Sequence, residues 1–111
     1  MKRTLCDTDA LLVPATLSAS RRIEDIDLSL QTYSEASIRY SRNTSIGNVL
    51  GLCAVVLPCG FTRDGMPIGL MIYAKAFDEA IALRVAWAYE QATSWHLRRP
   101  HLGWAGARPP G

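Results

Sequence analysis

Three unbroken apolar runs set the terms for this chain: Ala10-Leu11-Leu12-Val13, Leu52-Cys53-Ala54-Val55-Val56-Leu57 and Ile68-Gly69-Leu70-Met71-Ile72-Tyr73. A strand with one wet face alternates apolar and polar residues, and none of these runs does. Each predicts a strand that needs cover on both faces. The second and third runs are separated by Thr62-Arg63-Asp64-Gly65, whose Asp-Gly pair supplies the positive φ values of a tight hairpin. Those two strands are therefore expected to be antiparallel neighbours.

Residues 77–93 carry the clearest helical pattern. Asp78 and Glu79 fall in the first turn, where the helix dipole favours acids. Phe77, Ile81, Val85, Ala88 and Ala92 recur as one apolar stripe, and Leu83 and Trp87 make a second. Only a narrow strip around Glu79, Ala86 and Glu90 is expected to be wet, so this helix wants neighbours on more than one side. Residues 17–42 differ. They mix Ser, Arg, Glu and Asp with isolated Ile23, Ile26, Leu28 and Leu30, and read as a long polar loop with a short helix near residues 33–40. Three doubly covered strands and one helix cannot enclose one another within 111 residues. The pattern is that of a piece of a larger α/β sheet.

Charge excludes some partners. The formal net charge is +2, and residues 97–111 hold Arg98, Arg99 and Arg108 without any acid. Pro100, Gly103, Gly106 and Pro109-Pro110-Gly111 break up that basic tail, and no aromatic-lined basic face accompanies it. A solvated terminus is favoured over a nucleic-acid arm. The expected division is a main body at 1–96 and a Pro/Gly-rich tail at 97–111. No apolar run approaches the roughly 18 residues of a membrane span. Asp7 and Asp9 interrupt the place where a signal peptide would be apolar, so the expected compartment is the cytoplasm. Three cysteines fit reduced thiols there.

The stretch Gly47-Asn48-Val49-Leu50-Gly51-Leu52-Cys53-Ala54-Val55-Val56-Leu57-Pro58-Cys59-Gly60-Phe61 resembles the late segment of amidase signature enzymes. The likeness continues through Asp64-Gly65-Met66-Pro67-Ile68-Gly69-Leu70, Phe77-Asp78-Glu79-Ala80, Leu83-Arg84-Val85-Ala86 and Tyr89-Glu90-Gln91-Ala92-Thr93. Asp9-Ala10-Leu11-Leu12-Val13-Pro14-Ala15-Thr16 is similar to the strand that precedes this segment in the family. The resemblance implies a fragment of an α/β fold with a mixed central sheet flanked by helices. The fragment would supply a buried strand, a long polar loop, a β-hairpin and a helix. It also implies hydrolysis of carbon–nitrogen amide bonds by two serines and a lysine, on a small-molecule amide and without a cofactor. Those residues lie upstream of this segment in the family. The chain has no Gly-Gly or Ser-Ser pair, and its two lysines, Lys2 and Lys75, sit at a terminus and after the third strand. No catalytic residue is therefore assigned within it. The alternative is a non-catalytic interaction module completing a partner that carries the rest of the sheet.

Two departures concern subgroup: Cys53 where relatives often have proline, and Met71 where they often have glutamine. Family amidotransferase subunits place an acid three residues before the threonine matching Thr44. Ser41 stands there instead, which argues against glutamine as the substrate.

Thr44 and Asn48 precede the second strand, where loops of α/β enzymes line substrate crevices. They are the candidate substrate-binding residues, and the competing reading is that both satisfy local backbone. Cys53 and Cys59 are six apart on one strand, so a regular strand would put both on one face as buried thiols. Neither has the partners a metal site wants, and no metal is expected. His96 and His101 lack the nucleophile elbow of a triad, and His96 suits a helix C-terminus. Trp87 and Trp95 are expected to pack. Without the missing cover, self-association of the isolated chain is expected.

Overall fold

The computed structural model describes residues 7–100 and Gly103. The three apolar runs become β1 (Ala10–Pro14), β2 (Cys53–Phe61) and β3 (Pro67–Ala74). They form one antiparallel sheet in the order β1-β3-β2. Leu12, Ile72 and Val55 stand opposite one another on one face, and Val13, Met71 and Val56 on the other. The hairpin forms where expected, with a different turn. Gly65 alone has a positive φ, 80°, and its N–H donates to Thr62 O at 3.0 Å, while Asp64 keeps a negative φ. The turn needs one left-handed residue, and glycine takes that position without steric cost.

Helix α3 (Glu79–Ala92) covers the Ile72 face. Ile72, Leu57 and Ala86 form the buried cluster, with Ala10, Val55, Leu70, Val85 and Tyr89 packed around it. Ile72 is completely buried; truncating such a side chain to alanine costs about 2–5 kcal/mol. The helix is rotated from the expected orientation. Ala82 and Ala86 are buried, whereas Phe77, Ala88, Ala92, Leu83 and Trp87 are exposed. Small alanines let the helix lie close on the pleated sheet, where the larger side chains would hold it away. Ala86, placed in the wet strip by its polar neighbours, is thus a core residue.

The long polar loop is largely helical. After one turn, α1 (Ile23–Ile26), comes α2 (Leu30–Leu50), 21 residues where a short helix near 33–40 was expected. Ser29 caps it, accepting from Thr32 N–H at 3.2 Å, while Thr32 Oγ1 accepts from Ser29 N–H at 3.0 Å. Gly51 ends it at φ 63°, and Leu52 N–H donates to Gly47 O at 3.0 Å. Only Ala36 and Gly47 are buried, which is why no apolar stripe announced it.

Helix α2 rests on the other side of the sheet from α3, through Tyr73. The Tyr73 hydroxyl donates to Asn43 O, and Gly47 leaves room for the ring, because a Cβ there would lie 2.9 Å from Cζ. Asn43 Nδ2 donates to Pro14 O at 2.7 Å, and Tyr40 donates through its hydroxyl to Ala19 O at 3.3 Å. This tether is narrow. Beyond it the β2 side of the face is bare, and Val56 is 52% exposed beside buried Leu57. The demand for cover on both faces is met only in part by these residues.

Candidate functional site

Thr44 and Asn48 lie in the last turns of α2, not in a loop. Helical continuation through Gly47 to the Gly51 cap carried them there. A four-residue spacing puts both on one flank of the helix, and both are exposed. Thr44 Oγ1 donates to Ser41 O at 2.8 Å, which satisfies its proton and leaves the oxygen free to accept. Ser41 and Ser45 bond back along the helix in the same way, each at 2.8 Å. The Asn48 carbonyl accepts from Gly51 N–H at 3.4 Å, so its backbone serves the helix end while its side chain is exposed. The flank is neutral and rich in hydroxyls. Part of its role is local, as the competing reading held.

The thiols are half-buried rather than buried. Cys53 Sγ donates to Lys75 O at 3.1 Å and Cys59 Sγ to Ile68 O at 3.5 Å. A bulge between Pro58 and Gly60 leaves Cys59 without a partner residue on β3, which breaks the even spacing that put both cysteines on one face. Burial pushes the Cys59 thiol up, away from the thiolate a nucleophile requires. Lys75 is exposed just after β3. His96 falls in a short 3-10 turn, Trp95–Leu97, and its Nδ1 is buried without a hydrogen-bond partner among the described residues. Trp95 packs edge-on against Phe61 with ring centroids 6.1 Å apart. Trp87 does not pack. Lys2, Cys6, His101, Trp104 and most of the 97–111 tail lie outside the described residues. Among the described residues no three His, Cys, Asp or Glu side chains gather as a metal site would need, and no helix is long and apolar enough to cross a membrane.

Sequence reasoning missed one feature. A groove of about 400 Å³ runs between residues 15–20 and the β2–β3 hairpin, lined in part by Thr16, Ser18, Ser20, Tyr40, Val56 and Pro58. Ser18 Oγ is buried there without a hydrogen-bond partner among the described residues. Among the described residues no charged side chain lines this groove. Alternating Thr16, Ser18 and Ser20 was its only signal, and it looked like loop composition.

Nothing among the described residues pairs an activated nucleophile with a base, so the chain's relatives carry weight. The family model described as Amidase matches residues 1–83. The chain belongs to the Amidase family. It is 42% identical over 95 residues to the A subunit of the glutamyl-tRNA(Gln) amidotransferase of Thermodesulfovibrio yellowstonii, covering 85% of this chain and 19% of that protein. A Synechococcus protein of the same name is 59% identical over 56 residues, covering 50% of this chain and 11% of its own length. The solved 6-aminohexanoate cyclic dimer hydrolase superposes with a TM-score of 0.74 at 34% identity, covering 85% of this chain and 21% of that enzyme. This amidase segment thus spans about a fifth of the full-length relatives it matches. Its hairpin and the flanking β1 and α3 are a fragment of the amidase fold.

Proposed function

We propose that this chain is one part of an amide-bond hydrolase whose two serines and lysine lie in polypeptide outside residues 1–111. The superposition on a solved amide hydrolase at 34% identity carries the reading. Within it, the α2 flank faces the substrate. Thr44 Oγ accepts a hydrogen bond from the substrate amide, and the exposed Asn48 carboxamide both donates and accepts. The substrate is a small neutral amide processed in the cytoplasm without a cofactor. Ser41 favours this over glutamine: its hydroxyl is spent on Ser37 O at 2.8 Å, and it offers no charge to hold an amino group.

The test is a graft. Residues 1–111 replace the matching segment of the 6-aminohexanoate cyclic dimer hydrolase, and amide hydrolysis is followed. The graft is expected to hydrolyse its amide, and Thr44→Val with Asn48→Leu to lower kcat/KM by roughly ten-fold or more, as for two lost polar contacts. The purified chain alone is expected to hydrolyse no amide above buffer. Turnover by the lone chain that vanishes on mutation within it would overturn the proposal.

A further inference from the structure

The outer side of α3 carries an unexplained surface. Trp87 points away from the buried Ala82–Ala86 side and is 64% exposed; Leu83, beside it, is 59% exposed. Phe77, just before the helix, is 95% exposed and adopts φ 62°. A left-handed backbone at a bulky residue is strained, and such strain persists where surroundings hold it. Nothing among the described residues holds the Phe77 ring.

The distribution of exposed apolar side chains points to a large occupant and argues against a second copy. Bare apolar residues lie beyond both faces of the sheet, with Leu83 and Trp87 outside α3 and Val56 on the opposite face, and β1 and β2 each have a strand neighbour on one side only. A two-fold interface covers one self-complementary patch. A body several times larger can wrap both sides.

Building on the amide-hydrolase reading above, we propose that the outer side of α3, from Phe77 to Trp87, is the docking seat for the remainder of an amidase fold. That occupant corresponds to the roughly four-fifths of the solved hydrolase that this chain does not cover. Docking would enclose Phe77 and Trp87, which bury on the order of 150–250 Å² each when packed, and would hold the Phe77 backbone where it is.

The same graft tests the seat, with a different readout. Amide exchange across residues 83–91 is expected to be at least roughly ten-fold slower in the graft than in the isolated chain diluted until it sediments as a monomer. Leu83→Asp with Trp87→Asp is expected to lower the graft's melting temperature by several degrees, while Arg63→Asp in the hairpin turn leaves it unchanged. Equal exchange in both, or indifference to the double substitution, overturns the seat. So does a discrete dimer of the isolated chain that protects residues 83–91 while the graft leaves them exchanging fast. Activity is scored separately. A graft that shows the exchange and melting shifts but hydrolyses nothing overturns the hydrolase reading alone. An active graft indifferent to Leu83 and Trp87 overturns the seat alone. Should the graft be insoluble, the chain is co-expressed with the hydrolase lacking the matching segment. Co-purification that the double substitution abolishes supports the seat, and failure to co-purify overturns it.

Discussion

Gly47 and Tyr73 fix the position of α2, and the contact is intolerant of one methyl group. A Cβ at 47 would drive into the Tyr73 ring, which is itself buried. Gly47→Ala improves helix propensity by about 1 kcal/mol, yet overpacking of this kind costs about 1–3 kcal/mol. The net expectation is looser docking of α2. Urea unfolding of the graft should show it, and the penalty should disappear when Tyr73→Leu removes the obstructing ring. A Gly47→Ala variant as stable as wild type would mean that α2 does not seat on Tyr73. Cys59 offers a pH test at the same scale. Burial raises its thiol above the ordinary value, so the neutral form dominates near neutral pH and the thiolate appears only at more alkaline pH. Alkylation at Cys59, followed by mass spectrometry in the native chain, is expected to rise with pH later than that of a free cysteine peptide. Coincident profiles would show that the bulge leaves this thiol open to solvent.

Among the elements, what could be read in advance was whatever local chemistry decides. The hairpin was legible because Gly65 needs no tertiary partner to take its φ, and α3 because acids and apolar periodicity mark it without help. Helix α2 was not legible. It buries only Ala36 and Gly47, so most of its 21 residues carry no periodic signal. The Ser29–Thr32 cap and Gly51 were the readable marks, but the N3 position held threonine in place of the usual glutamate or glutamine. That miss displaced the candidate site, moving Thr44 and Asn48 from loop to helix. The rotation of α3 was hidden for another reason: which apolar stripe meets the sheet depends on how close the backbones come, and alanine wins that contest. Phe77 supplies the prediction at this scale. In the isolated chain its ring has no packing to lose, and glycine accepts φ 62° freely. Phe77→Gly should relieve a left-handed strain of about 1–2 kcal/mol and slow exchange of the first α3 amides, such as that of Ala82. In the graft the sign should reverse, because a docked ring is lost. The same sign in both settings would mean that Phe77 docks against nothing.

At the scale of the whole molecule, the described residues leave much of the sheet and its helix uncovered. Helix α3 covers one face of the sheet, α2 touches the other through the Tyr73 contact, and Val56, Leu83 and Trp87 are left to water. Contiguous apolar surface beyond a few hundred Å² drives association, and the single-neighbour strands β1 and β2 offer backbone groups that can template it. A formal net charge of +2 provides little repulsion to oppose this. The isolated chain is therefore expected to sediment as oligomers or aggregates, with strand and helix signals but a broad thermal transition. Because the driving force is apolar, sulfate should strengthen the association and sodium chloride should not dissolve it. The graft is expected to behave oppositely, sedimenting at the size of the intact hydrolase and melting cooperatively. Sedimentation and calorimetry on both proteins decide the point. A monodisperse monomer of the isolated chain with one sharp transition would show that these elements enclose one another after all, and that the exposed residues of α3 and β2 await no partner.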